Sequence, residues 1–90
     1  MADDQIPTDV TIYWRPGCGF CALLLRKVNK AGIPHELVNI WDEPAAAATV
    51  REHANGNETV PTVRVGRRWF VNPAMRDLKK AYAELNSKER

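Results

Sequence analysis

Cys18 and Cys21 are the 2 cysteines of this chain, and they lie three positions apart in the run Arg15-Pro16-Gly17-Cys18-Gly19-Phe20-Cys21. Cys-x-x-Cys spacing admits a structural disulfide, part of a metal site, or a pair that works by thiol-disulfide exchange. A cross-link over two intervening residues closes a very short loop, and the stabilisation a disulfide gives grows with loop length, so a staple would do little for the fold. Secreted domains held by disulfides also carry several scattered pairs rather than one close one. Structural zinc takes four ligands, and the remaining candidates, His35 and His53, stand at no ligand-type spacing, so no metal ligands are expected within one chain. A metal or cluster shared between two chains stays open, because two thiolates per chain are half of a four-thiolate site. Exchange chemistry needs one sulfur exposed and ionisable and its mate held close behind. The flanking elements decide whether that arrangement exists.

Val10 to Trp14 is β-branched and aromatic and stops at Arg15-Pro16-Gly17, the pattern of a strand followed by a loop. From Cys18 the period changes: Cys21, Leu24, Leu25, Val28 and Ala31 fall on one helical face, and Gly32 and Pro34 end the helix. Cys18 therefore heads a helix, where free N–H groups and the positive end of the macrodipole favour an anion. Helix N-termini and Cys-x-x-Cys motifs can lower a thiol pKa from about 8.5 into the range of roughly 3.5 to 7.5. Arg15 adds a cation three residues earlier. Cys21, on the apolar stripe, faces inward, and a buried thiol is slow to ionise. Cys18 is thus the candidate nucleophile and Cys21 the resolving thiol, with Phe20 off the stripe at the rim of the site.

His35 to Ile40 is a second strand, and strand, helix and strand joined this tightly make a parallel βαβ unit. Trp41-Asp42-Glu43-Pro44 opens an alanine-rich helix that Asn55-Gly56 ends; a hairpin turn there is the weaker alternative, since no strand alternation precedes it. Thr62 to Val65 and Arg68 to Val71 flank Gly66-Arg67, which suits a two-residue type II′ turn. Asn72 as N-cap and Pro73 at the first helical position then start a last helix, with Met75, Leu78, Tyr82 and Leu85 on its inner face. The order is β-α-β-α-β-β-α. Residues 1–8 read as a flexible tail, 9–86 as the domain and 87–90 as a polar tail.

With 90 residues, 44% of them hydrophobic, the chain can build one small core. Lys and Arg number 13 against 11 Asp and Glu, and scattered basic residues at a net charge of +2 argue against a nucleic-acid surface. No apolar run suits a membrane span and the first residues are acidic and polar, so a cytoplasmic protein without membrane contact is expected.

The element order and Cys18-Gly19-Phe20-Cys21 resemble the thioredoxin superfamily, and the absence of a preceding extra strand and helix resembles its glutaredoxin branch. Thr59-Val60-Pro61 is similar to that family's Thr-Val-Pro, which implies a cis proline facing the reactive cysteine and a Val60 backbone that pairs with the backbone of a bound thiol. The resemblance implies an α/β thioredoxin-like fold, a four-stranded mixed sheet flanked by three helices. Glutathione-using glutaredoxins follow the hairpin with a Gly-Gly-Asp type motif, where this chain has Val71-Asn72-Pro73-Ala74. The CGFC centre, the ETVPT segment and the VNPA helix start look most like mycoredoxins, actinobacterial relatives of glutaredoxin that use mycothiol. That likeness implies a monomeric oxidoreductase with no bound cofactor, with mycothiol (or glutathione) as co-substrate and S-thiolated or disulfide-bearing proteins as partners. A flavin-dependent reductase would reopen a Cys18–Cys21 disulfide. Arg15, Phe20, Thr59, Val60, Pro61 and Asn72 are the expected substrate-binding residues, with Trp14 and Arg76 near enough to reach a sugar. Two other readings stand beside it: a redoxin passing electrons from thioredoxin reductase to ribonucleotide reductase, and a metal or iron-sulfur carrier formed by paired chains.

Overall fold

The computed structural model describes residues 9–88, which leaves the expected tail at 1–8 and the last two residues of the one at 87–90 outside it. The elements follow the order β1 (Val10–Trp14), α1 (Gly19–Ala31), β2 (Glu36–Asn39), α2 (Pro44–His53), β3 (Thr62–Val65), β4 (Arg68–Val71) and α3 (Met75–Lys88). The strands form a single mixed sheet, β2-β1-β3-β4. β1 pairs in parallel with β2, Ile12 opposite Leu37, and antiparallel with β3, Ile12 opposite Val63. The β3-β4 hairpin pairs Val65 with Arg68, so Gly66-Arg67 is the whole turn. Gly66 has φ +62°, and a Cβ there would stand 3.1 Å from Leu85 Cδ1, so both the turn and its fit under α3 ask for glycine. Arg67 does not share the positive φ, as the expected type II′ turn requires.

The pleat sends alternate side chains to opposite faces of the sheet. Val10, Ile12, Val63 and Val65 meet Leu24, Val28, Leu78 and Ala81 beneath α1 and α3. A second cluster joins Ala47, Val50 and the C-cap Ala54 of α2 to Ile40, Val60 and, from α1, the inner cysteine, Cys21. The helix ends follow local chemistry. Gly32, at φ 72°, lets its own N–H reach Asn29 O and lets Ile33 N–H reach Val28 O, satisfying two of the last carbonyls of α1. Pro44 opens α2, and Gly56 N–H donates to Arg51 O at 2.8 Å past its end, so Asn55-Gly56 stops a helix rather than turning a hairpin.

Two expectations are corrected. Ala31 is exposed, because the chain turns at Gly32 and Ile33 takes the buried place that the stripe assigned to Ala31. Asn72 and Pro73 do not start the last helix. Asn72 adopts φ 48° and its N–H donates to Pro61 O at 2.7 Å, which ties the end of β4 to the preceding loop. The first α3 bonds therefore run from Asp77 and Leu78 N–H to Ala74 O, and the helix begins at Met75.

Candidate active site

The cysteine pair sits where β1 gives way to α1, at the C-terminal edge of the two parallel strands. Cys18 has extended backbone, φ −97° and ψ 106°, and is the N-cap of α1. Its Sγ accepts the Cys21 N–H at 3.2 Å, the role a serine or aspartate oxygen plays at other helix starts. Across the site, the loop before β3 brings Val60 O to 3.7 Å from the same sulfur, within reach of the thiol proton. The Val60–Pro61 bond is cis, as the family likeness implied. Cys18 is half-buried, open enough to meet another sulfur, while Cys21 is 1% exposed. Both thiols are free.

Burial is the main reason that the Cys21 thiol is pushed up to about 12 from 9.0. The Cys18 sulfur raises it further, by hydrogen bonding and by charge, against a smaller opposite pull from the Arg15 main-chain N–H and guanidinium. Asymmetry between the sulfurs is thus built into one turn of helix: the outer one caps it, and the inner one is desolvated by it.

The remaining expected residues divide into those gathered at the sulfur and those beside it. Val60 O faces Cys18, and Asn72 is tied to the same loop through its bond to Pro61 O. Thr59 serves the loop itself, its carbonyl accepting the Thr62 hydroxyl at 2.7 Å. The Arg15 guanidinium donates to Pro16 O and lies 5.9 Å from the centre of the Trp41 ring. Phe20 is 66% exposed, at the rim as expected. Trp14 packs partly buried against the cluster around Cys21, and Arg76 is exposed on α3.

Sequence reasoning used Trp41 only as part of a helix start, yet its ring is 63% exposed beside the site. The available signal was its place just past the end of a parallel strand, where open α/β sheets receive ligands. His53, set aside above as a metal ligand, is exposed but not idle: its ring stacks on Trp69 at 3.8 Å between centres. Among the described residues, no three His, Cys, Asp or Glu side chains gather to hold a metal ion, and no helix is long and apolar enough to cross a membrane.

The same pattern of elements recurs in known proteins. Two curated proteins from Mycobacterium tuberculosis strains that bear the name glutaredoxin are each 37% identical to this chain over 60 residues, 67% of this chain and 71% of theirs. Among solved structures, the glutaredoxin of Archaeoglobus fulgidus superposes with a TM-score of 0.71 at 21% identity, over 86% of this chain and 88% of that one. A buckwheat glutaredoxin in complex with glutathione superposes at 0.68 with 15% identity, over 97% and 86% of the two chains. At those identities the structural likeness speaks for the fold, a thioredoxin-like one. The sequence model named Glutaredoxin matches residues 10–70, from the start of β1 through the cysteine pair and the cis-proline loop into β4. Fold, cysteine geometry and sequence match converge, and the chain belongs to the glutaredoxin family of thiol-disulfide oxidoreductases.

Proposed function

We propose that this chain reduces mixed disulfides between proteins and a small thiol, with Cys18 as nucleophile and mycothiol as the small thiol. The observation that carries the proposal is the position of Cys18 Sγ, half-buried at the head of α1 with the Cys21 N–H at 3.2 Å and Val60 O at 3.7 Å. The Cys18 thiolate attacks the small thiol's sulfur, and the disulfide bond between that sulfur and the protein's sulfur breaks. The protein leaves as a thiolate, takes a proton from water and is reduced; Cys18 now carries the small thiol. A second small thiol, as thiolate, attacks that adduct, forms the small-molecule disulfide and returns Cys18 as thiolate. Net, one free small thiol is consumed, and the disulfide passes from the protein–small-thiol pair to a pair of small thiols.

Cys21 offers a second exit. Its attack on the Cys18 sulfur releases the small thiol and leaves a Cys18–Cys21 disulfide, which a reductase must reopen. In the free enzyme Cys21 is poorly ionised, partly because of the Cys18 sulfur. Once Cys18 is in a mixed disulfide its charge is gone, while burial still holds the Cys21 thiol up. Cys21 therefore becomes easier to ionise after thiolation, yet stays the slower route where small thiol is plentiful.

Support for mycothiol comes from the Asn72 loop. The glutathione-using relatives place a Gly-Gly-Asp type motif there to receive the γ-glutamyl group. Here Pro73 has no N–H, and the Asn72 N–H already donates to Pro61 O at 2.7 Å. Mycothiol has no γ-glutamyl carboxylate and does not need that site. The relatives come from Mycobacterium tuberculosis, an actinobacterium like the organisms in which mycoredoxins occur, and are consistent with this reading. Arg15 and Asn72 are the proposed contacts for its sugar hydroxyls, with Val60 main chain for its acetylated cysteine.

The test is intact mass of the reduced Cys21→Ser variant after exposure to mycothiol disulfide or to glutathione disulfide. A single mycothiol adduct on Cys18, forming faster than the glutathione one, is expected. Preference for glutathione would remove the small-thiol assignment, and no adduct with either would remove exchange at Cys18.

A further inference from the structure

Beyond the cysteines, the open side of α1 carries a groove of ≈ 140 Å³. One wall is Phe20, Leu23 and Lys27, spaced three and four apart so that they form one helical stripe. The other wall is Asn72, Pro73 and Met75 from the segment that leads into α3. It begins two residues past Cys18 and leads away from it. The stripe keeps two large apolar side chains in water, Phe20 at 66% and Leu23 at 43% exposed. No acidic residue occurs anywhere in α1, which carries Arg26, Lys27 and Lys30. Across the groove, exposed Arg76 follows Met75 directly and exposed Lys79 lies one turn beyond it, with Asp77 the acidic residue of that turn.

We infer that this groove docks the polypeptide of the disulfide-bearing partner, and that it selects an apolar side chain followed by a carboxylate. The inference rests on the exchange chemistry proposed above. Geometry sets the register. A helix rises about 1.5 Å per residue, so Leu23 lies ~7.5 Å and Lys27 ~13.5 Å along α1 from Cys18. An extended partner segment covers roughly 3.3 Å per residue. Its cysteine at Cys18 then places the second residue onward against Phe20 and Leu23, and the fourth near Lys27. The selected segment reads Cys-x-apolar-x-acidic. Charge complementarity decides the occupant: a positively charged, acid-free helix face beside an apolar slot disfavours basic segments and favours acidic ones.

The experiment compares dethiolation of two peptides, Cys-Ser-Leu-Ser-Glu and Cys-Ser-Leu-Ser-Lys, each as a mixed disulfide with the same small thiol, by the full chain at low salt. Bis(2-hydroxyethyl) disulfide is the third substrate and has no chain to dock. The expected result is about a threefold higher kcat/KM for the Glu peptide, a preference that disappears near 1 M salt, since exposed charge pairs are weak and screened. Lys27→Glu should invert the preference, and Leu23→Ser should slow both peptides by about the same factor. Both variants should leave the hydroxyethyl substrate unchanged. Equal rates on the two peptides with wild type, or a Lys27→Glu preference like that of wild type, would overturn the docking inference. So would equal slowing of all three substrates by Lys27→Glu, which would show that the groove serves the small thiol. Failure of the exchange reading would look different: wild type would turn over none of the three.

Discussion

The two faces of the sheet are built from different materials. Beneath α1 and α3 the contacts are aliphatic, Val10, Ile12, Val63 and Val65 against Leu24, Val28, Leu78 and Ala81. Beneath α2 the sheet presents Thr11 and Arg64, joined by an Arg64-to-Thr11 hydrogen bond of 2.9 Å, and the rings of Tyr13 and Trp69, 5.6 Å apart. Cys21, although carried by α1, clusters with Ile40, Val50 and Val60 rather than with the aliphatic set. An aliphatic face is non-directional and supplies stability by area, whereas the mixed face fixes groups by hydrogen bonds and ring contacts. The difference separates what holds the protein folded from what positions its sulfur.

Substitutions on each side should have different signatures. The largest effect is expected from Cys18→Ser, which should bring dethiolation down at least about a hundredfold, to the background of the small thiol alone, without moving Tm by more than a few degrees. Cys21→Ser should stay within about threefold of wild-type rate when the small thiol is supplied in excess. On the aliphatic face, fully buried Ile12 gives the opposite signature. Ile12→Ala should cost about 2–5 kcal/mol, a Tm fall of at least ~10 °C for a domain of this size, while the rate per folded molecule holds. Loss of rate in step with Ile12→Ala at a temperature where the variant is fully folded would break the separation of the faces.

A smaller effect comes from pH. The buried Cys21 thiol is favoured in its neutral form, with its pKa raised from 9.0 to about 12. A raised pKa in the folded state means that the contribution to stability is whole below about pH 9 and is lost as pH climbs toward 12. Tm followed from pH 8 to pH 10.5 should therefore fall more steeply for wild type than for Cys21→Ala. Iodoacetamide should label Cys18 first at pH 7, with Cys21 labelled on unfolding. Equal labelling of both thiols in the folded protein at pH 7 would contradict the burial on which the division of labour rests.

Much of this arrangement is legible in the chain. The strand-to-helix junction at Cys18, the inward stripe that carries Cys21 and the two-residue turn at Gly66 are written in local periodicity and backbone preference. The cis bond at Val60–Pro61 came from likeness to a family, not from residue chemistry. What escaped depends on partners distant in sequence. Asn72-Pro73 has every local mark of a helix start, but the bond from Asn72 N–H to Pro61 O holds Asn72 in a left-handed conformation that no local pattern announces. The Leu23–Lys27 wall becomes a groove only once the segment before α3 lies beside it. Trp41 becomes part of the site's rim only when parallel pairing sets the end of β2 next to the end of β1.

The smallest expected effect tests how α2 is fastened to its face. His53 closes α2 and lies flat on Trp69 of β4, the rings 8° from parallel, and Trp69 in turn meets Tyr13 of β1. The helix end is thus attached to the sheet by three stacked or tilted rings in addition to buried Val50 and Ala54. Because His53 is exposed, the stack should be worth no more than about 0.5–1 kcal/mol, and His53→Ala should lower Tm by a few degrees with dethiolation unchanged. His53→Phe keeps a flat ring and removes the ionisable nitrogens, so it should recover most of that loss. If Phe were no better than Ala, ring contact would not be the fastening, and the contrast between an aliphatic face and a ring-and-hydrogen-bond face would narrow to the Arg64–Thr11 pair.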